Sequence, residues 1–215
     1  MSQRIEKIKD AGFDPHTVWY HGTNSDFDTF QVHDNPKNGH SYGAGVYFTK
    51  NPDIANQYTD SKIEGSKIIP VHLKLTKELK KPLTYNQIKN MIVKSPNLED
   101  SLSNFGDINY HGYHKVLNDA IGTYHNLDNP HNQLNALHND FYSGRHNQLF
   151  LDNVIKHTKA DHHYFSLDGD SRGGVVVYHP TQIRSIHAKY DKSKLKSGNI
   201  LESFKETLIS VYNKK

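Results

Sequence analysis

Val18-Trp19-Tyr20-His21-Gly22-Thr23 is an apolar and aromatic run that ends on a histidine and a glycine. It reads as a brief buried strand that delivers His21-Gly22-Thr23 at its end. Asn24-Ser25-Asp26 follows as a turn cluster, with Phe27 and Phe30 anchoring the next loop on the core. Residues 31–44 are polar and rich in Gly and Asn, which predicts loop. Gly45-Val46-Tyr47-Phe48-Thr49 is a second short strand. Asn51-Pro52-Asp53 then starts a helix: a cap, a proline at the first position and an acid in the first turn. That helix is expected to run through Tyr58. Ile69, Val71, Leu73 and Leu75 alternate with Pro70, His72 and Lys74, the pattern of a half-buried strand. Pro70 has no N–H to give to a ladder, so this strand is expected at a sheet edge or to begin there.

Outward from this core the pattern changes. Residues 3–10 form a short helix ending at Gly12. Between about 80 and 158 the spacing is helical. Thr84-x-x-Gln87 is a capping box ahead of Ile88, Met91 and Ile92 on one face. Three more helices are marked by Val116, Leu117, Ala120, Ile121 and Tyr124; by Leu134, Leu137 and Phe141; and by Leu149, Phe150, Val154 and Ile155. Strands return at Tyr164-Phe165, at Val175–Tyr178, and at Ile186, Ala188 and Tyr190, with residues 168–174 as a loop. Residues 200–212 are an amphipathic terminal helix. Strands, then helices, then strands, without βαβ alternation, make the class α+β. A single domain over 1–215 with a helical insert is the expected organisation.

The chain has 215 residues, no cysteine, 34% hydrophobic residues, 13 Tyr and 9 Phe. That suffices for a core and excludes disulfides, thiolate metal sites and cysteine nucleophiles. No apolar run approaches the ~20 residues that cross a bilayer, and the charged N-terminus lacks a secretory leader. A monomer working in a cytoplasm, away from membranes, is expected. The net charge of +3 is modest. The lysine clusters at Lys77, Lys80 and Lys81 and at Lys189, Lys192, Lys194 and Lys196 read first as solvated faces.

The chemistry gathers at three elements. Gly22 permits close backbone approach, and Gly43 and Gly45 do the same at the next strand's entrance. Tyr47 and Tyr58 can face each other and stack on a flat ring. Gly43-x-Gly45 does not fit the dinucleotide fingerprint and lies in no βαβ unit, which excludes a Rossmann reading. Asp168-x-Asp170-x-x-Gly173 echoes a calcium loop, but Arg172 and His179 stand where ligands are needed. His111-x-x-His114 and Asp161-His162-His163 lack a third ligand at metal spacing. No metal is expected.

Taken together, Tyr20-His21-Gly22-Thr23, Gly43-x-Gly45-Val46-Tyr47-Phe48-Thr49 and Ala55-x-x-Tyr58 resemble the NAD pocket of diphtheria-toxin/poly(ADP-ribose)-polymerase-like ADP-ribosyltransferases. Val175 to Asp191, with the trailing Ser197-Gly198-Asn199-Ile200-Leu201, resembles the branch found in bacteriophage and mobile-element polyvalent proteins. The resemblance covers residues 18–75 and about 160–201. It implies a split β-sheet core with a helical insert and flanking helices, and NAD as substrate. By it, His21 holds ribose hydroxyls, the Gly22 backbone grips the carboxamide, and Tyr47 and Tyr58 stack the nicotinamide. Thr23 and Asn24 lie near the adenosine end, and Gly45, Phe48 and Ala55 complete the pocket. The reaction it implies is mono-ADP-ribosylation of a macromolecule, by a phage-encoded protein in the cytoplasm of a bacterial host or delivered with the virion. The acceptor would be a host protein, with nucleic acid or water as alternatives.

Two positions depart from that family. Its third motif residue is usually a glutamate, where this chain has Gly173-Gly174. The nearest acids are Asp168 and Asp170; Asp170, ahead of Asp168, could supply the carboxylate, or the pair could simply make a turn. Ala55 stands where many relatives carry a hydroxyl. An NAD hydrolase, or an NAD-binding or interaction module without turnover, is the rival reading.

Overall fold

A computed structural model describes residues 3–32, 44–142, 146–188, 199 and 200. The fold mixes helices with one antiparallel sheet, as an α+β reading requires. Contacts divide the chain into two compact units, one from residues 1–31, 46–76 and 164–215, the other from residues 32–45 and 77–163.

The first unit is built on the sheet. After α1 (Gln3–Asp10) come β1 (Trp19–Thr23), β2 (Val46–Thr49), α2 (Pro52–Asn56) and β3 (Lys67–Leu73), and later β4 (His162–Leu167), β5 (Asp170–Val177) and β6 (Ile183–Ser185). The strand order is β4-β5-β2-β1-β3-β6. β1 pairs with β3 from Trp19↔Val71 to Thr23↔Lys67, and β2 with β5 from Val46↔Val177 to Thr49↔Gly174. β1 and β2 share one registered pair, Tyr20↔Thr49. The sheet is thus two well-paired halves joined by a short seam. Val71, Val175, Val176 and Val177 are fully buried, as suits strands covered on both faces. Ile8 of α1 clusters with Ala11 and Phe13 just after the helix and with Ala188.

Several expectations change in detail. β3 is interior, not an edge. Pro70 is tolerated because its carbonyl, and therefore its nitrogen, faces β6 just where that strand has ended: the acceptor of Ile186 N–H is Pro70 O (3.2 Å). α2 stops at Asn56, so Tyr58 sits on the turn after it, with its N–H donated to Ala55 O (3.1 Å). The predicted loop 168–174 is a two-residue hairpin instead. Asp168 (φ 50°) and Gly169 (φ 78°) both take left-handed backbone, the geometry of a tight hairpin corner, and β5 already begins at Asp170. β6 lies at Ile183–Ser185, ahead of the strand expected over 186–190, of which Tyr190 lies outside the described residues. Residues 201–212 of the expected terminal helix and the lysines at 189–196 also fall outside them.

The second unit is helical: α3 (Tyr85–Ile92), α4 (Leu98–Leu102), α5 (Ile108–His111), α6 (Tyr113–His125), α7 (Pro130–Phe141) and α8 (Asn147–Thr158). The Thr84/Gln87 capping box is formed, and Asn129 caps α7 ahead of Pro130. Ile88, Met91, Ile92, Val116, Ala120, Ile121, Leu137, Phe141 and Val154 are fully buried, so the periodicity named the inward faces. On α8 the face is rotated: Phe150 and Leu151 are buried and Leu149 is exposed. Gln133, with no exposure, stitches the bundle by donating to Leu83 O (3.3 Å) and Tyr124 O (3.0 Å) while accepting from Leu83 N–H. No helix among the described residues is long and apolar enough to cross a membrane.

The bundle also buries histidines. His131 Nδ1 lies 3.0 Å from His163 Nε2, and His138 bonds Asn147. Burial lowers all three pKa values, His163 furthest. The unfolded chain takes up these protons near pH 6.5, and the folded chain resists until lower pH. The unfolded state therefore binds more protons in that interval, and stability falls as pH drops through it. Stability is expected to be flat from pH 7 to 8, and to lose up to about 1.4 kcal/mol per pH unit for each such histidine below about 6.5. Urea melts at pH 7.5 and 5.5 check this; equal midpoints would refute it.

Candidate functional site

The seam between the sheet halves is where the sequence-predicted residues meet. After Tyr20↔Thr49 the registered main-chain pairing of β1 with β2 ends, and a side chain takes over. His21 Nδ1 lies 2.8 Å from Tyr47 O. A carbonyl can only accept, so Nδ1 carries the proton and Nε2 of the neutral ring is an acceptor. The ring is held edge-on by Phe30 (centroids 5.0 Å apart) and Phe27 (6.4 Å), and tilted against Phe48 (5.6 Å). Burial in this cage pushes the His21 pKa down, against the smaller opposing effect of the Tyr47 bond. The imidazole is therefore neutral at pH 7, with a fixed tautomer. Ile200 is buried beside the same loop and donates its N–H to Asp28 O (2.8 Å), while Asn199 bridges Thr29.

Alternation places Gly22 and Tyr47 on the sheet face opposite Phe48. On that face α2 lies directly on Gly22. A Cβ at position 22 would stand 1.8 Å from Ala55 O and 3.1 Å from Tyr58 Cβ. The glycine thus admits the end of α2, which sets Tyr58, half-exposed, next to the histidine-glycine step. Tyr47, Gly22, Ala55 and Tyr58 are brought to one face.

The other candidates are placed as follows. Gly45 has left-handed backbone (φ 129°) at the start of β2, and Gly43 lies outside the described residues. Phe48 is buried against His21. Thr23 Oγ1 accepts from Ser25 N–H (3.1 Å). Asn24 Oδ1 accepts from Asp60 N–H (2.6 Å) and Ser66 Oγ (2.9 Å), so Asn24 ties the loop before β3 to the end of β1.

The two acids lie apart from Tyr47 along β5. Asp168 is the left-handed corner of the β4–β5 hairpin. Asp170 is exposed and ion-paired with Lys50 (3.2 Å). The Arg172 N–H first, and Lys50 after it, hold the Asp170 carboxyl below its ordinary range, so it is ionised at neutral pH. At Gly174, opposite Thr49, the space is taken: a Cβ there would lie 2.2–2.5 Å from the ring of Phe165. That ring meets Tyr47 edge-on at 5.9 Å. Phe165 is the residue sequence reasoning missed. The signal was the Asp168-Gly169 corner, which folds β4 back onto β5 and brings its aromatic residues over the glycines.

A family model described as ADP-ribosyltransferase in polyvalent proteins matches residues 14–193. No curated protein and no solved structure matches the chain. The match spans both strand segments and the helical stretch between them, far more than half of the chain. The chain belongs to the ADP-ribosyltransferases of polyvalent proteins.

Proposed function

We propose that the protein is an NAD-dependent mono-ADP-ribosyltransferase, encoded by a phage or mobile element, that modifies a macromolecule of the bacterial host. The observation that carries this is the His21 Nδ1–Tyr47 O bond. It fixes the tautomer of His21 at the seam, so that Nε2 is an acceptor on the Phe48 side of the sheet, one residue from the Gly22 backbone whose other side gathers Tyr47 and Tyr58. A ribose hydroxyl is a suitable donor to that nitrogen, and a nicotinamide ring suits two tyrosines. In the reaction the ribose C1′–N bond breaks, nicotinamide leaves with the electron pair, and the acceptor bonds C1′ and loses its proton. The developing oxocarbenium charge calls for a carboxylate. Asp170 is our assignment, because it is ionised and opens the strand that carries Gly174; Asp168 is the alternate. A host protein side chain is the acceptor we favour.

A second reading, an NAD-binding module without turnover, is favoured by one observation: Phe165 fills the place over Gly174 while Lys50 holds Asp170. NAD labelled in the adenylate half, incubated with the protein and host lysate, separates the readings. Label on a macromolecule marks a transferase; free nicotinamide with soluble labelled ADP-ribose marks a hydrolase. Asp170→Asn is expected to slow nicotinamide release by about 10²–10³-fold, and an unchanged rate would remove Asp170 from the reaction. His21→Ala and Tyr58→Ala are expected to abolish NAD binding by titration calorimetry; unchanged affinity in both would remove the pocket.

A further inference from the structure

The sheet unit holds a concave feature whose walls include none of His21, Gly22, Tyr47 or Tyr58. It is a cleft of about 550 Å³, within the range of small-ligand sites. Trp19 stands two residues before His21 on β1 and, by alternation, on the same face as that ring and opposite Gly22 and Tyr47, about 7 Å along the strand from His21. Its floor is aromatic and apolar: Trp19, Tyr164, Phe13 and Leu73. Trp19 and Tyr164 lie 6.2 Å apart, inclined by 35°.

Cations stand over these rings. Lys50 Nζ is 5.5 Å from the Trp19 centroid, and the Arg172 guanidinium is 4.6 Å from that of Tyr164. Lys9 also lines the wall, and the Lys74 ammonium would lie 3.2 Å from a Cβ at Gly12, another wall residue. Against these four cations stand Asp14 in the wall and Asp170 on Lys50. Among the lining residues cations thus outnumber acids, in a chain whose overall charge is only +3. Aromatic faces interleaved with lysine and arginine are the chemistry that binds a base by stacking and its phosphate by charge.

We infer that this cleft binds a nucleotide unit, base on Tyr164 above the buried Trp19 and phosphate against Arg172, Lys9 and Lys50, where the phosphate takes the place of the Asp170 carboxylate. The unit is either a free nucleotide or one residue of a single strand. The inference does not depend on the NAD reading: the cleft's walls include none of His21, Gly22, Tyr47 or Tyr58, and Asp170 enters here only as the group that the phosphate displaces from Lys50.

Trp19 is the chain's single tryptophan and lines this cleft, so its fluorescence reports on binding there. The full chain is titrated with UMP, with a ten-residue oligothymidylate and with polyglutamate. Saturable quenching by UMP and the oligonucleotide alike identifies a free-nucleotide site; quenching by the oligonucleotide alone identifies a single-strand site; either supports the inference. For the oligonucleotide a log–log salt slope of about −2 is expected from three phosphate-facing cations. Arg172→Ala, at an exposed position, is expected to weaken binding about tenfold with NAD binding retained, and Lys9→Glu to act in the same direction. No saturable quenching, equal quenching by polyglutamate, or insensitivity to both substitutions would overturn it. So would quenching that Tyr58→Ala abolishes, which would place the ligand in the NAD cleft.

Discussion

Gly22→Ala is expected to weaken NAD binding on the order of 100-fold and to destabilise the sheet unit, although it adds one methyl group. The methyl carbon would stand 1.8 Å from the Ala55 carbonyl oxygen, and the obstacle is backbone, which cannot rotate away. α2 must lift off β1 by more than an ångström. Overpacking of this kind costs about 1–3 kcal/mol, and the upper end applies here. For a chain of this size that lowers the melting temperature by about 6–12 °C. The functional loss is larger. Tyr58 follows α2 directly, and a shift of about 1 Å in a positioning element costs on the order of 100-fold. Calorimetric titration with NAD and a thermal melt of the same preparation check both. Wild-type affinity in Gly22→Ala would show that α2 does not position the ligand.

The glycine illustrates which features were legible in the residues. The strand ending on His21-Gly22 could be read, since aromatic and apolar residues ran up to a polar step. That the space beside Gly22 is filled by a helix end rather than by a ligand could not, because Ala55 enters only through tertiary packing. The insert's helices were legible for the same reason as β1: caps and apolar spacing are local, as with Thr84/Gln87 and Ile88-Met91-Ile92. Pro70 misled in the opposite sense. Its missing N–H suggested an edge, but only the length of β6 decides whether that N–H is needed. Asp168 to Gly174, rich in turn formers, read as loop; two left-handed residues suffice for the corner, and the rest is strand. The Trp19 cleft was invisible because its walls come from positions as distant as Lys9 and Arg172.

Gly174→Glu places a glutamate at the Gly173-Gly174 step, where the resemblance to related transferases calls for one, and alone it is expected to harm the protein. Its Cβ would meet the Phe165 ring at 2.2 Å, so the ring must leave and its edge contact with Tyr47 is lost. The cost is about 1–3 kcal/mol of overpacking and about 0.5–1.5 kcal/mol for the aromatic pair. Phe165→Ala removes the obstacle. In the double variant the side chain at 174 projects from the same face as Tyr47, and its carboxylate can meet charge developing on a ribose bound there. Nicotinamide release by Phe165→Ala/Gly174→Glu is expected to exceed that of the parent chain by about 10²-fold, the scale of one electrostatic group aimed at a transition state. The matching Phe165→Ala/Gly174→Gln variant has the same shape without the charge and is expected to show no gain. Equal rates for the glutamate and glutamine variants would show that position 174 does not face the reacting ribose. A parent rate already as high as the glutamate variant's, and lost in Asp170→Asn, would show that Asp170 supplies the charge from the hairpin.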